Sequence, residues 1–368
     1  MQDKPPTSSK NTSLLLPSIG ALLIAVLMFL LFNSSATPQN DPGWVSGWKP
    51  VNNFHLPRRA LAAAVAGDYL YVVGGINDND EYVKEVEFTR INADGTLGEW
   101  QTTSNLLEGR FYLAAVTLNG YLYALGGATG PRGDDNQPIA SVEKARINPD
   151  GSLGPWQLEN YLTTPRRGLK TVTYKNRIYA IGGYNGIFLK SVERAEINPD
   201  GTLSGWQLEK EESVIDRYIH SAAILGDKIY LLGGHVRDPQ KVSYGDVEMA
   251  SIGSDGALQT WRIEPTSLQT PRFIATAFAM NDYIYMMGGH DGQFRLDSVE
   301  FAPIDANGQV GDWLFTSQMK AARSAAAVAI HKNAIYLVGG MDANRALDTV
   351  EMAVQGKGGQ LGHPLPAP

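Results

Sequence analysis

The 368 residues contain no cysteine. That absence excludes a disulfide framework, cysteine-liganded zinc, iron–sulfur clusters, thiolate nucleophiles and any copper-radical centre built on a cysteine. Such a chain tolerates an oxidising compartment without depending on one. Positive charge is scarce as well. Thirty-one Lys and Arg against 38 Asp and Glu leave a net charge of −7, so no nucleic acid is expected as a partner through bulk phosphate neutralisation. The sequence has no glycine-rich phosphate loop, nucleophile elbow or His-Glu-x-x-His helix. No catalytic residue is assigned and no cofactor is expected. The length allows two ordinary domains or one large repetitive one.

Residues 13–32 hold twenty positions without a charge. At about 1.5 Å per residue they span about 30 Å, the thickness of a bilayer's hydrocarbon core. Lys4 and Lys10 precede them and polar Asn33, Ser34 and Ser35 follow. The positive-inside rule then keeps residues 1–12 cytoplasmic, makes 13–32 a transmembrane signal anchor and 33–43 a linker, and places the rest outside. The alternative is a cleavable signal peptide ending near Ala36, which would leave the remainder secreted or periplasmic. Either reading exports the body of the chain.

That body is one unit written six times. A Gly-Gly pair ends an apolar run at residues 74, 126, 182, 233, 288 and 339. Tyr71, Tyr123, Tyr179, Tyr230, Tyr285 and Tyr336 each stand three residues before a pair. Arg58, Arg110, Arg166, Arg217, Arg272 and Arg323 each stand sixteen before it. A Val-Glu follows, with Glu87, Glu143, Glu193, Glu248, Glu300 and Glu351, and thirteen residues past the first five comes Trp100, Trp156, Trp206, Trp261 or Trp313.

Within a unit the pattern predicts four short strands. Strand A follows the arginine and is rich in small residues. A two-residue turn such as Asn119-Gly120 leads into strand B, which alternates up to the glycines. Strand C carries the Val-Glu and strand D the Trp, with a Pro/Gly reversal such as residues 147–154 between them. Four strands per ~50 residues repeated about an axis describe an all-β, six-bladed propeller, with the Ala-rich strands innermost where space is least. The sixth copy lacks its Trp, since Pro364 stands where one is due. Ser46-Gly47-Trp48 matches Ser204-Gly205-Trp206. The N-terminal segment therefore supplies the missing outer strand and closes the ring without exposed edges. The propeller is expected over 44–354, with a tail at 355–368.

These paired glycines, tyrosines, arginines, Val-Glu pairs and tryptophans resemble the Kelch-repeat family over about 310 residues. A usual Kelch repeat has an aromatic shortly after the Glu; here Thr89, Ala145, Ala195, Ala250, Ala302 and Ala353 stand in its place. The C–D turn is also longer than usual. Those departures suggest an unusual, bacterial-type subgroup, and the run at 13–32 makes it a membrane-anchored member.

Spacing points to one face. The Arg-to-Gly and Glu-to-Trp intervals are constant, whereas Gly to Glu runs 13, 17, 11, 15, 12 and 12. Length variation thus falls in the B–C loops, which emerge beside the D–A loops, and variable loops on a regular scaffold carry binding residues. After the glycines stand Ile76, Ala128, Tyr184, His235, His290 and Met341; after the arginines stand Arg59, Phe111, Arg167, Tyr218, Phe273 and Ser324. The Kelch resemblance implies that these positions and the six arginines line a central pocket. A ring of Arg with aromatic walls suits an acidic glycan or acidic peptide. The competing reading gives the arginines to carbonyls or a blade carboxylate such as Glu143, the glutamates to the scaffold and the tryptophans to the blade interfaces. His235 and His290, in equivalent places of adjacent blades, would begin a metal site with Asp238 or Asp291. The other histidines lack ligand spacing, so no metal is assigned.

The expected function is a membrane-anchored, extracytoplasmic binding module for a protein or acidic glycan. A structural subunit of an envelope complex and an exported carbohydrate enzyme resembling the sialic-acid epimerases are the alternatives.

Overall fold

The structure, a computed structural model, describes residues 41–131, 135–235 and 243–356. The apolar run at 13–32, the N-terminus at 1–12, residues 33–40 of the linker and residues 357–368 of the tail lie outside these residues. Among the described residues no helix is long and apolar enough to cross a membrane.

Each repeat forms one antiparallel four-stranded sheet, and the six sheets stand around a common axis. The innermost strands are Ala62–Ala66, Ala114–Leu118, Lys170–Tyr174, Ser221–Leu225, Thr276–Met280 and Ala327–His331. They pack against one another as a closed ring. Small residues dominate them because six strands converge there. Blade 2, whose Gly-to-Glu interval is the longest, uses the extra length for a hairpin pairing Ala128–Thr129 with Gln137–Pro138.

Closure takes place as expected. Val45–Val51 lies antiparallel to Val350–Gln355, with Lys49 opposite Met352 and Val51 opposite Val350. Its Trp48 packs with Met319, Ile335, Leu337 and Ala353 in the core between blades 5 and 6. The Trp48 indole donates to the Ser317 carbonyl at 3.1 Å. Trp100, Trp156 and Trp206 donate in the same way to Asn52, Ser104 and Asn160 of the preceding blade, at 2.8, 2.8 and 2.9 Å. The tryptophans do seat at blade interfaces. Ala145, Ala195, Ala250, Ala302 and Ala353 are buried in the same clusters as the tryptophan of their own blade, so a small side chain there leaves room for an indole.

The tyrosine before each Gly-Gly pair has a role that spacing did not disclose. Its hydroxyl donates to a C–D turn glycine of another blade: Tyr71 to Gly151, Tyr123 to Gly201, Tyr179 to Gly256, Tyr230 to Gly308 and Tyr336 to Gly95, all between 2.7 and 2.9 Å. The sixth, Tyr285, donates to Gly43 at 2.8 Å, so the N-terminal segment completes this set too. Those turns need glycine. Gly151 sits at φ 83°, and a Cβ on it would lie 2.4 Å from the Tyr69 ring.

One core position breaks the repeat. Leu61, Leu113 and Leu169 stand three residues after their arginines, where blade 4 has His220. Its imidazole is 1% exposed, and neither ring nitrogen has a hydrogen-bond partner among the described residues. Burial first, then the charges of Arg217 and Lys170, hold it neutral with a pKa well below the ordinary histidine value. The unfolded chain takes up a proton below about pH 6.5 that the folded chain refuses, so stability falls as pH falls through that value. The slope reaches about 1.4 kcal/mol per pH unit. Replacing His220 by Leu, the residue of blades 1 to 3, should flatten the stability profile between pH 6.5 and 5. Denaturant melts of the two proteins across that range check it; parallel profiles would refute it.

Candidate functional site

The two residue sets singled out by spacing meet each other. Arg59 bridges Ile76, Phe111 bridges Ala128, Arg167 bridges Tyr184, Tyr218 bridges His235, Phe273 bridges His290 and Ser324 bridges Met341. Each is a single antiparallel bridge that ties the end of a blade's incoming D–A loop to the start of its B–C loop. The B–C and D–A loops therefore share one face.

The six arginines lie beneath that face rather than on it. Arg58, Arg110, Arg166, Arg217, Arg272 and Arg323 are 0–2% exposed. Each guanidinium pairs with the Val-Glu carboxylate of its own blade: Glu87, Glu143, Glu193, Glu248, Glu300 and Glu351. A second nitrogen donates to the carbonyl of the first paired glycine and to one at the start of strand C, as Arg166 does to Gly182 at 2.7 Å and Ser191 at 3.1 Å. The carboxylate also accepts backbone N–H groups of the D–A loop, as Glu193 does from Thr163 and Thr164. Burial pulls the arginine pKa values down and the paired glutamates oppose that pull. With both terminal nitrogens of each guanidinium engaged this way and the side chains buried, the hub fixes loop to blade and offers no surface to a ligand.

What reaches the surface is aromatic. Tyr184, Tyr218, Phe188, His235, Phe273 and His290 form a continuous crescent over blades 3 to 5, with successive ring centroids 5.3, 5.7, 6.2, 5.4 and 5.4 Å apart. Across the axis Tyr82 stacks on Phe111 at 5.0 Å. Phe188 and Tyr82 escaped the sequence reading because they lie inside loops of unequal length, where no register identifies them. Their bridges to Tyr184 and Ile76 are what bring them in. Phe273 stands between His235 and His290, and among the described residues no three His, Asp or Glu are placed to hold a metal ion.

The two surface arginines differ. Arg59 is drawn to Asp78 at 3.5 Å and Asp80 at 3.1 Å, so its charge is answered. Arg167 lies over the Tyr184 and Tyr218 rings, at 4.8 and 5.7 Å from their centroids, and donates to the neutral Asn136 side chain. Burial raises the Tyr218 hydroxyl pKa, which keeps it a neutral donor beside Arg167. Arg167 therefore places a positive charge at one end of the aromatic crescent, while Arg295, bridged to His290 and donating to Ser324, stands at the other. Near the other end an open cleft of about 530 Å³ is lined by Asp246, Gln269, Asp291 and Gln293.

At the centre main chain from every blade gathers around the axis. Ala60, Tyr112, Gly168, Ile219, Ile274 and Ala325, one per blade, all adopt left-handed φ between 47° and 64°. Five N–H···O=C bonds of 2.8–3.0 Å link them around the axis: Ala60 to Ala325, Tyr112 to Ala60, Gly168 to Tyr112, Ile274 to Ile219 and Ala325 to Ile274. The loop face thus has a main-chain floor around the axis, bonded at every junction but that between Gly168 and Ile219.

Comparisons with known proteins agree with this geometry. The Kelch motif matches residues 165–194 and 322–352. Alpha-scruin of Limulus polyphemus is 24% identical over 66% of this chain and 26% of its own length, and beta-scruin of the same animal is 25% identical over 71% and 27%. Human Kelch-like protein 13 is 36% identical over 22% of this chain and 12% of its own. The chain spans about a quarter of the length of the scruins it matches. A solved structure, that of YjhT, superposes with a TM-score of 0.65 at 16% identity, covering 82% of this chain and 96% of that one. At that identity the likeness concerns the fold alone.

Proposed function

Because this chain belongs to the Kelch-repeat β-propeller family, we propose that it is a binding module whose ligand lies on the B–C/D–A face, across the aromatic crescent of blades 3 to 5. The observation that carries this reading is the pairing of an uninterrupted aromatic surface with Arg167. Aromatic faces accept flat apolar surface. An arginine held over them, with no carboxylate partner among the described residues, accepts a carboxylate or other anion. The ligand is therefore an acidic glycan with an apolar ring face, an acidic peptide being the other outcome of the test. The apolar run at 13–32 supports presentation of the propeller on the extracytoplasmic side of a membrane, or its release there if the run is removed. The outer strands of blades 2 to 5 each expose one apolar side chain, Leu158, Leu208, Ile263 and Phe315. These stand singly, one per blade, so the envelope-subunit reading ranks second.

The test is an array of acidic glycans and acidic peptides probed with wild type and Arg167→Glu. Reversal should weaken capture of anionic members at least tenfold. Surface substitutions alter stability by about 0.5 kcal/mol, so the melting temperature should move little. Arg59→Glu should weaken binding less, because two aspartates already hold that side chain. Capture unchanged by Arg167→Glu would overturn the assignment.

A further inference from the structure

On the loop face a third residue set joins the two found by spacing. Each B–C loop returns to its blade through one residue that bridges the one after the glycines: Tyr82, Pro138, Phe188, Ser243, Arg295 and Ala346. From that position the side chain can lean on the next blade. Tyr82 stacks on Phe111 of blade 2, and Phe188 lies 5.7 Å from Tyr218 of blade 4. Blade 5 has an arginine there instead. The Arg295 Nε donates to the Ser324 hydroxyl of blade 6 at 3.2 Å, and Ser324 stands where blade 3 has Arg167. Among the described residues Arg295 makes no ion pair. Asp342 is an acidic group near it, but that carboxylate accepts the N–H groups of Asn344 and Arg345 at 2.8 and 2.9 Å. The crescent thus has, at each end, an arginine with no carboxylate partner among the described residues.

We propose that the crescent is a track for a linear acidic oligosaccharide of the polyuronate class, whose carboxylates engage Arg167 at one end and Arg295 at the other.

The track rests on the binding role proposed above and adds the length and charge of the ligand to it. Steps of 5.7, 6.2, 5.4 and 5.4 Å lead from the Tyr218 ring beside Arg167 to the His290 ring bridged to Arg295. One sugar ring covers one aromatic platform, so a ligand that touches both arginines has several rings in a row. Successive platforms suit sugar rings, whose apolar faces pack on aromatic side chains. An acidic peptide offers carboxylates with few flat apolar faces between them. The opposite side of the axis repels such a chain. There the blade 1 loop carries Asp78 and Asp80, each at least half exposed, with Glu81 next in sequence. Like charges brought together oppose binding, so the chain runs along blades 3 to 5 instead of crossing the centre. Two anchored charges on one molecule raise affinity through effective concentration. Affinity should therefore climb with length and level off once both arginines are reached.

The experiment uses the full chain in detergent, titrated calorimetrically with di-, tetra- and hexagalacturonate. Wild type should bind the hexamer at least about tenfold more tightly than the dimer, as one added charge-assisted contact would give. Arg295→Gln should bring the hexamer down to the dimer's affinity and leave the dimer unchanged. Arg295→Lys, which keeps the charge, should keep most of the gain. Absence of hexamer binding, equal affinities for dimer and hexamer, or a gain that survives Arg295→Gln overturns the track. If hexaglutamate shows the Arg295-dependent gain and the galacturonates do not, the glycan assignment is overturned in favour of an acidic peptide. Arg167→Glu should weaken every length. If it does so while Arg295→Gln changes nothing, the track fails and the crescent stands as the site; if neither variant changes anything, both readings fail.

Discussion

A chain lacking residues 44–50 should melt at least about 10 °C below the intact protein, in one transition rather than two. The deletion removes Trp48 and Val45 from the core shared by blades 5 and 6. It also removes the bonds donated by the Val45 N–H to the Thr316 hydroxyl and by the Trp48 indole to the Ser317 carbonyl. Loss of one buried tryptophan alone costs about 3–5 kcal/mol, and for a domain of this size each kcal/mol lowers the midpoint by about 2 °C or somewhat more. The edge of Val350–Gln355 would also lie open to pairing with another chain. Because the blades form a closed circle rather than an open array, the loss is shared by both flanks of the gap and cannot stay in one blade. Differential scanning calorimetry decides it: an unchanged midpoint would show that the ring is not held by its N-terminal strand.

Comparable damage is expected from Glu248→Ala. It leaves the Arg217 guanidinium buried without its counter-charge, and breaking one half of such a pair costs about 3–5 kcal/mol. Replacing both members by apolar residues often restores or improves stability in buried ion pairs. Here it should not. Glu248 also accepts the N–H groups of Val214 and Ile215, and Arg217 also donates to the carbonyls of Gly233 and Asp246. An Arg217→Met, Glu248→Leu pair would strand those four backbone groups, at about 1–3 kcal/mol for each one left unsatisfied. Urea unfolding of the single and double variants distinguishes the cases. Recovery in the double variant would mean that the hub is an ordinary ion pair and not the clamp on the D–A loop.

The contrast between this hub and Arg167 shows where sequence reading succeeds. Features that recur in every copy, such as the arginine, the glutamate, the tyrosine and the tryptophan, could be placed on strands and the closing strand found from their spacing alone. Spacing could not say which way a side chain points. Arg58 and Arg59 are adjacent, yet one is buried in the blade and the other reaches the face. The axial floor was invisible for a different reason. Its members are Ala, Tyr, Gly, Ile, Ile and Ala, because the work is done by backbone, and only a common φ unites them. Lys170 and His220 were legible in principle. Each replaces a small or apolar residue of its sister repeats, and comparing copies position by position, rather than seeking shared residues, would have isolated both.

The main-chain floor has a consequence for how the molecule can change. Repeat proteins commonly gain or lose units, since each unit chiefly contacts its neighbours. In this chain the floor contacts couple one residue from every unit across a circle whose circumference suits six members. Inserting a seventh copy would widen that circle, pull donors away from acceptors within 3.0 Å of them, and leave polar backbone unsatisfied at the axis. Copy number is thereby fixed by the geometry of the centre. Variation is left to the B–C loops at the rim, where blade 2 already carries an extra hairpin.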